Sequence, residues 1–125
     1  MQTREELLQH KEIDEGMLKA AYDKAAELIK TATAEFTEKF PPSASVNHFY
    51  QPGSNYEWTP GFWTGEVWLA YEKTGDEALK KTAEIEVQEF YRRIKEKDGV
   101  NHHDKGFLYC PTCVAAYKLT GNENG

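Results

Sequence analysis

Apolar residues recur at spacings of three and four between Met17 and Phe40, through Leu18, Tyr22, Ala25, Ile29, Ala32 and Phe36. Lys19, Asp23, Lys24, Glu27 and Lys30 fall largely on the other side. One apolar stripe and one charged face at that period predict a long amphipathic helix. Pro41-Pro42 stops it, because proline lacks an amide donor and disfavours helix in the residue before it. A shorter helix is expected ahead of Gly16. From Ser43 to Trp58 the periodicity breaks, and Ser43, Ser45, Asn47, Pro52, Gly53, Ser54 and Asn55 mark a loop. Loops of that length inside a compact domain are often functional.

Thr59-Pro60 restarts the helical pattern, with threonine as cap and proline at the first helical position. The helix is expected to reach about Lys73 and to stop at Thr74-Gly75. Phe62, Trp63, Val67, Trp68, Leu69, Ala70 and Tyr71 make it apolar nearly all the way round, so protein should surround it on most sides. Asp76 caps a third helix running to about Lys97, with Leu79, Ala83, Val87, Phe90 and Ile94 as its buried stripe. Lys80, Lys81, Glu84, Glu86 and Arg93 are expected in solvent. Asp98-Gly99 ends it, a polar loop carrying Asp104 follows, and Pro111 opens a last helix that Gly121 ends.

Ala70-Tyr71-Glu72-Lys73-Thr74-Gly75-Asp76-Glu77 recurs 46 residues later as Ala116-Tyr117-Lys118-Leu119-Thr120-Gly121-Asn122-Glu123. A period of that size with two helices per unit implies stacked helical hairpins. The helices after Pro60 and Pro111 are the apolar ones, and those before and between are amphipathic. That sorting fits an inner ring wrapped by an outer ring, an all-α toroid, better than an open solenoid. The second copy stops where another amphipathic helix should begin, so the chain is expected to be one portion of a larger domain.

Composition narrows the function. Of 125 residues, 39% are hydrophobic and 29% charged, which excludes a disordered chain. A net charge of -6, with basic residues mixed among acidic ones, excludes a nucleic-acid face. No apolar run is long enough to span a bilayer, and no signal-peptide core follows Met1, so membrane partnership is excluded and a cytoplasmic location is the default expectation.

In a toroid of helical hairpins, the loops entering the inner helices converge at one mouth. Asn55-Tyr56-Glu57-Trp58 enters one such helix and His102-His103-Asp104 enters the next. Trp58 and Asp104 are 46 residues apart, one full repeat, which places an aromatic face beside a carboxylate. A sugar ring, with apolar C–H faces and a hydroxyl edge, suits that pairing. Taken singly, Asp104 also fits a turn in Asp-Lys-Gly, Trp58 a core position, and His103 a partner that merely hydrogen-bonds the carboxylate. His102, His103, Cys110 and Cys113 are the competing metal reading, but structural zinc motifs separate their ligand pairs more widely. Pro111 puts Cys113 inside a helix, where it reads as a small buried hydrophobe. No metal and no other cofactor is expected.

Trp58-Thr59-Pro60-Gly61-Phe62-Trp63-Thr64-Gly65, followed by Trp68-Leu69-Ala70-Tyr71-Glu72, resembles the first signature of the unsaturated glucuronyl hydrolases, glycoside hydrolase family 88. His102-His103-Asp104-Lys105-Gly106-Phe107 resembles the second, with Lys105 departing from the apolar residue expected there. The likeness runs from Met17 to nearly the end of the chain. It implies an (α/α)6 barrel, of which residues 1–125 would be the N-terminal portion of a single catalytic domain. It implies hydrolysis of unsaturated glucuronyl disaccharides, left when lyases cut glycosaminoglycans, by hydration of the 4,5 double bond. Protonation at C4 gives oxocarbenium character at C5, water adds there, and the hemiketal opens to expel the second sugar. By the same resemblance, Asp104 would bind the uronate hydroxyls and stabilise the cationic transition state. His103 would contact substrate, and Trp58 would stack on the unsaturated ring. The family's second aspartate, its acid/base, would fall beyond Gly125, so the chain alone is expected to be inactive. The nearest enzymatic rival is the family 105 unsaturated rhamnogalacturonyl hydrolases, and the non-enzymatic rival is a helical-hairpin interaction module.

Overall fold

Asp14 opens the first helix, its Oδ1 accepting a hydrogen bond from the Met17 amide at 2.7 Å. This helix, α1, spans Glu15–Ala32 in the computed structural model, which describes residue 4 and residues 12–123. Gly16 thus lies inside α1, and the helix expected ahead of it falls mostly outside the described residues. The helix also ends eight positions before the Phe40 boundary read from the apolar stripe. Threonines explain the difference. Thr31, Thr33 and Thr37 each turn a hydroxyl back onto a carbonyl three or four residues earlier, competing with the helical amides. Phe36 and Phe40 stay buried, but in a bend and in a bridge. Phe40 and Gly53 exchange two backbone hydrogen bonds of 2.9 Å, pinning the start of the long loop to its far half.

The second helix, α2, spans Pro60–Thr74 and packs against α1 and both later helical runs. Thr59 occupies the cap position as expected, though its side chain makes no capping bond. Trp63 and Trp68 are core residues, as their apolar setting implies. Tyr22 of α1 donates to the Leu69 carbonyl of α2, and Leu18, a turn earlier and expected in the apolar stripe, is exposed. The expectation that α2 is covered on most sides holds, with one strip left open. Phe62 and Leu69 are exposed, leaving an apolar strip on the molecular surface.

Glu77–Glu96 form α3, capped by Asp76, whose Oδ1 accepts from the Ala78 amide at 2.9 Å. Leu79, Ala83, Val87 and Phe90 face the core as expected, but Ile94 is exposed. Glu86 and Arg93, expected in solvent, are 0% and 1% exposed. Both occupy turns of the buried face, and each has dedicated partners. Trp63 Nε1 and Thr64 Oγ1 donate to the two Glu86 oxygens at 2.8 and 2.6 Å. Burial pushes the Glu86 carboxyl up to about 8.

The last helical run starts at Lys105 instead of Pro111. It consists of α4 (Lys105–Tyr109), a π-helical turn over Cys110–Val114, and α5 (Ala115–Thr120). Pro111 cannot donate its share of the ladder, and the wider turn accommodates it without ending the helix. Cys113 is buried in this turn and Cys110 is exposed.

The sequence repeat is reproduced bond for bond. Thr74 Oγ1 donates to the Ala70 carbonyl and Thr120 Oγ1 to the Ala116 carbonyl, each at 2.7 Å. Gly75 and Gly121 follow in left-handed conformation, φ 68° and 72°, with amides on Tyr71 and Tyr117. Then the Asp76 and Asn122 amides each donate to the preceding threonine hydroxyl at 3.2 Å.

Candidate functional site

Gly61 and Gly65 determine what meets at the mouth of these helices. A Cβ on Gly61 would overlap the Phe107 carbonyl oxygen and come within 2.8 Å of Leu108 Cα. One on Gly65 would lie 2.7 Å from Pro111 Cβ. Gly61 lets the first turns of α2 and α4 touch backbone to backbone, and Gly65 leaves room for the Pro111 ring of the π-helical turn. Trp58 immediately precedes the cap of α2, and Asp104 is the residue before α4. They therefore arrive together, and both line a hollow of about 270 Å³ with Ser43, Tyr56, Glu57 and His102.

Trp58 is the indole that lines the hollow, and two further rings pack against it from outside. Trp58 is 44% exposed and meets Phe62 edge-on at 5.7 Å between ring centres. Phe107 lies 6.2 Å from Trp58 and 5.5 Å from Phe62, closing a triangle of three part-exposed rings. Phe62 and Phe107 do not line the hollow but buttress Trp58, and Phe62, expected in the apolar helix to be surrounded by protein, is exposed. Their signal was present in the spacing, since Phe62 falls one turn after Trp58.

The polar side is built on Asp104, whose side chain is 22% exposed. His103 Nε2 lies 3.2 Å from Asp104 Oδ1, but the imidazole is 93% exposed and is not among the residues lining the hollow. His102 is the histidine that lines it. The Asp104 amide donates to His102 Nδ1 at 3.2 Å, which makes Nδ1 an acceptor and leaves the proton on Nε2. The Asp104 carboxylate, 3.6 Å from that same Nδ1, is beyond hydrogen-bond range. Across the hollow, Glu57 accepts from the Ser43 amide at 2.8 Å, and that bond holds its carboxyl below the usual range. Glu57 is thus an ionised acceptor that ties Ser43 to the rim. Lys105 is exposed. Among the described residues, no three His, Cys, Asp or Glu side chains converge as a metal cage.

Helical hairpins repeated with common caps, presenting their loops at one mouth, define the α/α-barrel class of protein. The comparisons with known proteins are more particular. The chain is 42% identical over 102 residues to the unsaturated chondroitin disaccharide hydrolase of Streptococcus pneumoniae, covering 82% of this chain and 26% of that protein. It matches the crystal structure of the unsaturated glucuronyl hydrolase of Streptococcus agalactiae with a TM-score of 0.85 and 38% identity, over 94% of this chain and 31% of that one. A variant of that enzyme, solved in complex with dGlcA-GalNAc6S, matches equally well. No family model matches the sequence. By sequence and by fold the chain belongs to the unsaturated glucuronyl hydrolases, and it spans roughly a quarter to a third of the length of the relatives it matches.

Among the described residues no helix is long and apolar enough to cross a membrane.

Proposed function

We propose that this chain supplies the Trp58–Asp104 rim of an unsaturated glucuronyl hydrolase, acting on unsaturated uronate disaccharides by hydration of the 4,5 double bond. The observation that carries the reading is the meeting of an exposed indole and a part-buried carboxylate on one small hollow. Trp58 stacks on the flattened ring of the unsaturated uronate. Asp104 accepts from its hydroxyls and offsets the positive charge that grows at C5 and the ring oxygen once C4 is protonated. His103, at 3.2 Å from Asp104, orients the carboxylate and reaches substrate from the outer edge. The proton for C4 needs a separate acid, as in other reactions that divide acid and carboxylate roles. Glu57 does not fit that task, because the Ser43 amide favours its ionised form. The acid belongs to a part of the enzyme outside residues 12–123, consistent with the chain spanning about a quarter of its relatives' length. We further propose that residues 1–125 form the N-terminal portion of one catalytic barrel, and that it works in the cytoplasm.

The test is binding and turnover of unsaturated chondroitin disaccharide. The chain as given should bind it without sustained loss of the double bond's ultraviolet absorbance; Asp104→Asn should abolish binding, and Trp58→Ala should weaken it while leaving it measurable. A version extended to the full length of its relatives should turn it over and lose that activity on Asp104→Asn. Turnover by the extended Asp104→Asn variant at the wild-type rate would remove Asp104 from the mechanism.

A further inference from the structure

The described residues contain one charged side chain that is buried, has no carboxylate partner and touches both loops of the rim. Arg93 sits in the last turn of α3, 1% exposed. Its guanidinium has five N–H donors, and five oxygens surround it. Nη1 donates to Asn55 Oδ1 at 2.8 Å and to the Glu57 carbonyl at 3.2 Å. Nη2 donates to the carbonyls of Tyr56 at 3.3 Å and Gly99 at 3.4 Å, and Nε to that of Asp98 at 3.4 Å. Three acceptors belong to the loop that ends in Trp58, and two to the loop that leads to His102 and Asp104. A buried cation is costly unless its donors are met, so the two loops have to converge for the charge to be tolerated. Gly99 completes the fit. It adopts φ 58°, and a Cβ there would come within 2.8 Å of Arg93 Nη2.

We infer that Arg93 is a positioning residue: from outside the hollow it ties the Trp58 loop to the Asp104 loop and fixes the spacing of ring and carboxylate. Its functional arm rests on the reading of that rim as a sugar site; its structural arm does not. Among the described residues no other side chain donates hydrogen bonds to both segments. Lysine cannot substitute, because its three donors radiate from one atom whereas the five acceptors surround a planar fork.

The experiment is amide hydrogen exchange on the intact chain, compared with Arg93→Lys and Asn55→Ala. In Arg93→Lys the amides of both loops, Tyr56 and Asp104 among them, should exchange about tenfold faster or more, with the cores of α2 and α3 still protected. Asn55→Ala should loosen the Trp58 loop alone. Unchanged loop exchange in a folded Arg93→Lys protein would overturn the inference, as would a rise shared equally by α2 and α3. Should Arg93→Lys fail to fold, unchanged exchange in Asn55→Ala would overturn it.

The second measurement is affinity for unsaturated chondroitin disaccharide. Arg93→Lys should weaken binding about tenfold in the wild-type background and far less in a Trp58→Ala background, because it acts through Trp58. Equal losses in both backgrounds would overturn the positioning role. A wild-type chain that does not bind the disaccharide would sink the sugar-site reading, and loop exchange would still decide whether the clamp exists.

Discussion

Glu86 makes the stability of this protein depend on pH in a direction opposite to that of most carboxylates. Its side chain is fully buried, and burial raises the carboxyl from 4.5 to about 8. The folded state therefore holds a proton that the unfolded chain releases at lower pH. Stability from this group is fully present below about 4.5 and is lost as the pH rises towards 8. The loss amounts to ~1.4 kcal/mol per pH unit, so near neutral pH it has reached about 3 kcal/mol. Glu86→Gln isolates this contribution. An amide matches the protonated acid in shape and hydrogen bonding: Oε1 still accepts from Trp63 Nε1, and the Thr64 hydroxyl, which donates to the carboxylate, rotates to accept from the acid proton or from the amide nitrogen that replaces it. The variant should match wild type near pH 4.5, exceed it by about 3 kcal/mol near neutrality, and show a flatter profile between. Urea unfolding followed by tryptophan fluorescence at a series of pH values measures both curves. Parallel curves for the two proteins would mean that Glu86 ionises alike folded and unfolded, and the reasoning from burial would be wrong.

Gly61→Ala should cost about 2 kcal/mol or more, because the added methyl meets the backbone of Phe107 and Leu108, which cannot yield without moving α4. Gly106→Ala, in the same helical run with open space around it, should instead stabilise by roughly 0.5–1 kcal/mol. Urea midpoints test the pair, and equal shifts would show that close approach is not what Gly61 serves. Asp76→Ala should lower the thermal midpoint at neutral pH by removing the bond to the Ala78 amide and the ion pair with Lys30. Lys30 holds the Asp76 carboxyl below its ordinary range, so that contribution is present above the usual carboxylate pKa and lost as pH falls through the lowered one. A deficit that persists unchanged in strong acid would refute this.

Much of the fold was legible because local chemistry and long-range packing agree. The two Thr-Gly-Asp/Asn caps demand a left-handed residue, glycine supplies it, and the tertiary structure leaves both unaltered. Asp76 is likewise the cap that sequence assigns. The errors fall where a polar residue occupies an apolar turn. Glu86 and Arg93 repeat in step with Leu79, Ala83 and Phe90, yet charge suggested solvent, and Ile94 was assigned inward in place of its neighbour Arg93. Nothing local to Arg93 announces that Asn55, Tyr56 and Glu57 will surround it, since those acceptors are distant in sequence and mostly backbone. The end of α1 was misplaced for a milder reason: Phe36 and Phe40 keep the helical spacing after the threonines have unwound the backbone. The candidate rim was legible through the repeat, which gives Trp58 and Asp104 equivalent places in neighbouring hairpins. The choice between His102 and His103 was not, because it depends on the turn of backbone that directs one imidazole into the hollow and leaves the other in water.

The twin caps after Thr74 and Thr120 also govern shape beyond any single hairpin. Each turns the chain out of its helix through a glycine of nearly equal φ, 68° and 72°. Equal changes of heading, applied once per unit, accumulate as an arc, so the curvature of a larger wheel is already encoded in a handful of hydroxyl and glycine contacts.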